Sequence, residues 1–498
     1  MIQSFLKNKS SLKSSCIYFF VIALLLSGCS SDDEQEGTND NSDGYPAEVS
    51  QIITTKCATA GCHNDISRVA AAGLSMKTWD RLFEGSRGGS AVVPYRTDQS
   101  FLLFFVNTDP EKGIVLSPTM PINQPALSAE EYTILKDWIE EGAPNSDGLV
   151  KFSDNPSRRK FYVTNQGCDM VAVFDAETQT LMRYIDVGSR GEIESPHQVK
   201  VSPDGKYWYT IFFSGTTIQK FDATDDSFVS EAEIGDGSWN TFRLSSDGKR
   251  AYVVNWSANG SIAVVDLENM TLKSTITGNG LFEWPHGSML NEAEDVLYVT
   301  AQHGNFFYKI DLNDLDNPQV EKVSMNESSP TTISWLDGHE MELSPDGSKY
   351  FVTCEESNEV RVLQSSNDSV IAVIPTGVFP QEIAFSKSKP YLFVTCTEDY
   401  LTYPDQIGSV YVINYEDHTV VKTIFTGFQP HGITVDDQEE RVYVAHRNVR
   451  ADGPTPHHST DCEGRNGFVT QIDLNTLELL PGYKVEVSVD PYSVSLRE

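Results

Sequence analysis

The sequence predicts a multidomain chain: a small all-α domain over residues 45–146, then an all-β seven-bladed propeller over residues 151–498. Three observations carry this reading. A triplet of aromatic, Val and small residue recurs seven times at blade-like spacing. Asp-Gly turns separate alternating apolar runs, because Gly takes the positive φ that a tight hairpin needs. Upstream, apolar residues fall at helical spacing, and Ser128 with Glu131 spells a helix-opening capping box. The 498 residues, 39% of them apolar and 22% charged, suit a globular chain of several units. With 37 Lys+Arg against 71 Asp+Glu the net charge is −34, a field that repels phosphates and argues against a nucleic-acid partner.

Residues 1–28 read as an export signal. Lys7, Lys9 and Lys13 precede an apolar run from Ile17 to Leu26 that is too short to span a bilayer as a helix. The run ends in Leu26-Ser27-Gly28-Cys29, which resembles a bacterial lipobox. That resemblance implies acylation of Cys29 and a lipid anchor in a membrane; an ordinary signal peptide with a coincidental Cys is the alternative. Ser30 and Ser31 followed by Asp32, Asp33 and Glu34 resemble the surface-export signal of Bacteroidetes-type lipoproteins. The implied location is the outer membrane, the cell surface or the periplasm. Residues 29–44, acidic and without apolar anchors, make a flexible tether.

The small domain is organised around Cys57-Ala58-Thr59-Ala60-Gly61-Cys62-His63. A c-type haem is attached through two thiols, with an adjacent His on the iron, and its usual spelling is C-x-x-C-H. Here the loop is two residues longer, and His63 still follows the second thiol directly. A disulfide or half a zinc site would have the same spelling. The surroundings narrow the choice. Val49, Ile52 and Ile53 form a helical stripe before Cys57, and Ser117-Pro118-Thr119-Met120-Pro121 places a Met 57 residues beyond His63. After the Ser128 cap comes a helix with Tyr132, Leu135, Trp138 and Ile139 on one face, closed by Gly142 and Pro144. The layout, including the stretch Gly73 to Met76, resembles the small class I-like cytochrome c domains. That resemblance implies haem c on Cys57 and Cys62, with His63 and Met120 as axial ligands. Met76 competes with Met120 but reads as core packing. His–Met ligation favours a raised potential and electron transfer.

The triplets of the second part are Tyr162-Val163-Thr164, Trp208-Tyr209-Thr210, Tyr252-Val253-Val254, Tyr298-Val299-Thr300, Phe351-Val352-Thr353, Phe393-Val394-Thr395 and Tyr443-Val444-Ala445. Steps between their middle residues are 46, 44, 46, 53, 42 and 50. Four strands per step and seven steps spell a seven-bladed β-propeller. Pro491-Tyr492-Ser493-Val494 matches the opening of an innermost strand such as Pro196-His197-Gln198-Val199, so the chain end is expected to complete the first blade. The repeats, with Tyr162-Val163-Thr164-Asn165 among them, resemble the YVTN family of propellers, which shares its architecture with nitrous oxide reductase.

Innermost strands that begin at the Pro-x position bring His197, Asn240, His286, His339, Gln381, His431 and Tyr492 to one channel mouth. Second strands are expected to end at the same mouth, at Asn165, Ile211, Asn255, Ala301, Cys354, Cys396 and His446. Imidazoles and thiols suit borderline and soft metals. The nitrous oxide reductase resemblance suggests copper, but its full ring of seven His is matched at four positions, with His446 as an extra. A structural His ring, another metal site and a small-molecule pocket stay open. Cys168 and Cys462 follow second strands in blades one and seven and could staple the ring; Cys354 and Cys396 could pair between neighbouring blades. The insertion from Asn448 to Asn466 adds His457 and His458 near the mouth.

The functional expectation is a lipid-anchored, extracytoplasmic electron carrier whose propeller docks a partner or substrate. The acidic surface would steer it to a basic redox partner protein. The alternatives are a propeller oxidoreductase that passes electrons to the haem, and a surface binding scaffold. No Ser-His-Asp order, nucleotide-binding Gly loop or paired-carboxylate motif stands out.

Overall fold

The computed structural model describes residues 42–456, 462 and 464–498. The export segment, Cys29 and most of the tether, together with His457 and His458, lie outside the described residues.

Seven four-stranded antiparallel sheets form the propeller. Blade 1 takes its innermost strand, Pro491–Arg497, from the chain end and its other three, Lys160–Asn165, Met170–Asp175 and Leu181–Asp186, from the start. The ring therefore closes by hydrogen bonding, with Val494 opposite Val163. The alternating apolar runs explain the layering. Both middle strands of blade 1 are buried along their whole length, whereas outermost strands such as Thr271–Ile276 are largely exposed. The Asp-Gly turns share one geometry: Gly205, Gly248 and Gly347 sit at φ of 68–69°, and Ser202, Ser245 and Ser344 donate to the turn Asp at 2.6–2.7 Å.

In blades 4, 5 and 6 the Thr of the repeated triplet stitches the blade to the next. Thr300 donates to the His339 carbonyl, Thr353 to that of Gln381 and Thr395 to that of His431, at 2.7–2.9 Å. Blade 2 corrects the sequence register by one residue. Val199 pairs with Thr210 there, as Val494 pairs with Val163, so the counterpart of Tyr162-Val163-Thr164 is Tyr209-Thr210-Ile211. Phe212, not Ile211, ends that second strand. Both registers begin on an aromatic residue, which is why the pattern alone misplaced it.

Four short helices, α1 (Ala47–Ile52), α2 (Trp79–Leu82), α3 (Phe101–Val106) and α4 (Ala129–Glu140), occupy the segment before the propeller. The capping box is formed: Ser128 Oγ accepts from the Glu131 amide and the Glu131 carboxylate accepts from the Ser128 amide. Tyr132, Leu135, Trp138 and Ile139 make the buried face of α4. This segment packs on the outermost strands of blades 1 and 7. Ser90 Oγ donates to the Leu181 carbonyl at 2.8 Å, Arg96 pairs with Asp186 at 2.8 Å, and the Glu486 amide donates to the Gly88 carbonyl at 3.2 Å. Among the described residues no helix is long and apolar enough to cross a membrane.

Candidate functional site

The Cys57 motif hangs from the end of α1. One π-turn, Ile53–Cys57, continues the helix and buries Ile53 and Cys57. The following loop is held by its own backbone: the Cys62 amide donates to the Thr59 carbonyl and the His63 amide to the Cys57 carbonyl, both at 3.1 Å. Gly61 turns the chain at φ 83°. Cys57 and Cys62 are free thiols. Burial, then the neighbouring Cys62, pushes the Cys57 thiol up to about 12. His63 is half-buried, its Nδ1 has no hydrogen-bond partner, and burial lowers its pKa. Met76 is 1% exposed and lies in the core, as its spacing suggested. Met120 is half-buried against the same apolar cluster, its amide donating to the Phe105 carbonyl at 2.7 Å. Exposed apolar side chains gather in two segments, Ile66 and Val69 after His63, and Val115 and Ile122 around Met120.

The channel mouth forms a second constellation. His197, Asn240, His286, His339, Gln381, His431 and Tyr492 all lie there, and none is more than 8% exposed. The His286 and His339 rings stand 3.9 Å apart, and His431 lies 3.7 Å from Tyr492. One nitrogen of three rings is anchored: His197 Nδ1 to Gln166 Oε1 at 3.0 Å, His431 Nδ1 to the Tyr492 carbonyl at 3.0 Å, and His339 Nε2 beside Glu355 at 3.4 Å. The opposite nitrogens, His197 Nε2, His339 Nδ1 and His431 Nε2, have no partner, nor has His286 Nδ1. Burial holds all four rings well below the ordinary imidazole pKa, with nearby positive groups adding to it. Among the described residues, however, no three His, Cys, Asp or Glu close on a common point.

The comparisons follow this geometry. No family model matches the chain. The uncharacterized protein YncE of Salmonella typhimurium is 27% identical over 218 residues, 43% of this chain and 52% of the relative. Its counterpart in Salmonella typhi is 26% identical over 217 residues, with the same coverage. The chain thus spans about half the length of the curated relatives it matches. Among solved structures, a candidate 6-phosphogluconolactonase from Bacteroides uniformis superposes with a TM-score of 0.51 at 14% identity, covering 68% of this chain and 99% of that one. A functionally unknown protein from Desulfotomaculum acetoxidans gives 0.50 at 13% identity, covering 68% and 98%. The likeness is one of fold: a seven-bladed propeller.

Two expected groupings are not formed. His446 does not face the His ring; its Nε2 meets Thr470 Oγ1 at 2.8 Å and its ring packs on Gly427. Side chains alternate along a strand, so the last residue of one that ends at the mouth can still lie along the sheet face. For the same reason Cys354 and Cys396 are not paired. Each is a buried free thiol in a separate apolar cluster. Cys168 and Cys462 are joined by a disulfide, with Cα atoms 5.4 Å apart.

The sequence reading missed Glu355, Gln302, Asp337 and His303, which meet where loops of blades 4 and 5 cross the mouth. Gln302 and Gln381 donate to the Glu355 carboxyl at 3.1 and 2.8 Å. Burial pushes that carboxyl up to about 8. One layer deeper, Arg243 reaches Glu340 at 3.0 Å and Glu342 at 2.6 Å and also contacts the Ser288 carbonyl. The only signal was position: Gln302 and Glu355 directly follow second strands, and Asp337 directly precedes an innermost one.

Proposed function

We propose that residues 45–146 hold a covalently attached haem c and that the chain is an extracytoplasmic, lipid-anchored electron-transfer protein. The observation that carries the reading is the state of the cysteines. The fold joins Cys168 to Cys462 and keeps Cys57 and Cys62 as thiols directly before His63. The disulfide suits an oxidising compartment and therefore export. Cys57 and Cys62 would hold the porphyrin, and His63 and Met120 would supply an imidazole and a thioether to its iron. The exposed Ile66, Val69, Val115 and Ile122 would cover part of its apolar surface, and the haem would supply one-electron exchange.

The protein's part is placement. The turn through Gly61 keeps His63 next to the second thiol. The bond from the Met76 amide to the His63 carbonyl, at 2.8 Å, ties the ligand loop to the core. Docking on blades 1 and 7 fixes the small unit against a rigid ring, and the charge of −34 draws a basic redox partner. The test is expression of the full chain in a host with c-type cytochrome maturation. A sharp reduced α-band, colour surviving acid–acetone extraction and loss of both in a C57S/C62S variant are expected. Colour that extracts freely, or a protein without haem mass under those conditions, overturns the reading.

A further inference from the structure

The repeat step into blade 5 is the longest of the six, at 53 residues, and its extra chain lies before Gly338–Leu343. This insertion carries two apolar side chains that face water, Ile333 at 89% and Trp335 at 80% exposure. Beside it a cleft of about 450 Å³ opens over blades 4 and 5. Trp256, Ile333 and Phe379 give it apolar walls, and Gln302, Asp337 and Glu355 give it polar ones. The aromatic wall extends beyond the cleft as a strip: Trp256 lies 5.9 Å from Phe213 and 4.6 Å from Trp284.

The strip is held rigid from below. Trp256 Nε1 donates to Gln302 Oε1 at 2.5 Å, and Gln302 donates in turn to Glu355. The His303 amide donates to Asp337 at 2.6 Å, which leaves the His303 ring half exposed at the rim. A fixed indole beside open polar groups, the His303 ring, Thr332, Ser334 and Glu356, matches a ligand with flat C–H faces and hydroxyl edges. The acidic lining and the net charge of −34 exclude an anionic ligand.

We propose that this cleft binds a neutral saccharide, with a sugar face stacked on Trp256 and hydroxyls bonded to the rim. The proposal is independent of the haem. To test it, the full chain is titrated with cellohexaose, xylohexaose and mannohexaose, and with hexagalacturonate as the anionic control. Tryptophan emission and calorimetry are the readouts. At least one neutral hexaose is expected to shift the emission with one-to-one stoichiometry. His303→Ala, which removes a half-exposed hydroxyl partner at the rim, is expected to weaken binding roughly tenfold. Trp256→Phe is expected to weaken it as well, with the circular dichroism unchanged. The proposal is overturned if no neutral hexaose binds up to about 10 mM, if both variants bind as tightly as the parent, or if hexagalacturonate binds best.

Discussion

Cys168 and Cys462 are bonded across 294 residues of sequence, and the bond lies at the seam where blade 1 meets blade 7. The helical unit docks on the same two blades, through Ser90 and Leu181 and through Gly88 and Glu486. Replacing both cysteines with Ser is expected to cost up to about 6 kcal/mol by loop-entropy arguments. Denaturant midpoints of the parent, with and without reductant, and of the double variant check this. Reductant should lower the parent midpoint and leave the variant where it is.

Arg243 is the cation that blades 3, 4 and 5 share. It bonds the buried Glu340, the partly exposed Glu342 and the Met341 carbonyl. Arg243→Ala removes the hydrogen-bonded partner of the buried Glu340 while Lys200 stays nearby, and a loss of about 3 kcal/mol is expected. Equilibrium urea unfolding measures it. A neutral result would show that water takes its place.

Glu355 gives the stability a pH dependence of fixed sign. Its carboxyl is pushed from the usual glutamate range up to about 8, chiefly by burial, with Asp337 and Glu356 adding and Gln302 and Gln381 opposing; His339 faces it as well. Between the unfolded and folded values the native state binds the extra proton. This contribution is therefore complete in mild acid and is lost as pH rises toward 8. Thermal melts from pH 5 to 8 should show a decline that Glu355→Gln reduces.

Met120→Ala tests the ligand assigned to the loop rather than the attachment. The protein should remain covalently coloured, while the reduced form gains carbon monoxide binding and the midpoint potential falls. A spectrum and potential identical to the parent would remove Met120 from the iron.

The propeller was legible because each of its signals is local. Triplets, Asp-Gly turns and Pro-x strand openings each act within a few residues, and ring closure by Pro491–Arg497 followed from the same pattern. The capping box of Ser128 and Glu131 was readable for the same reason. Apart from the one-residue register of blade 2, what failed needed a direction rather than a position. His446, Cys354 and Cys396 were placed at the correct strand ends, but the face each side chain takes is set by the pleat. Glu355 and Gln302 could not be found in advance, since their meeting depends on loops more than fifty residues apart converging over the channel.

The innermost strand of blade 1 has a consequence for how the molecule is made. Lys160–Asn165 leaves the ribosome long before its partner Pro491–Arg497. The first blade must wait with an open flank while the other six are produced. A frameshift or proteolytic nick removing only the final strand would unlatch blade 1, one of the two blades on which the helical unit rests.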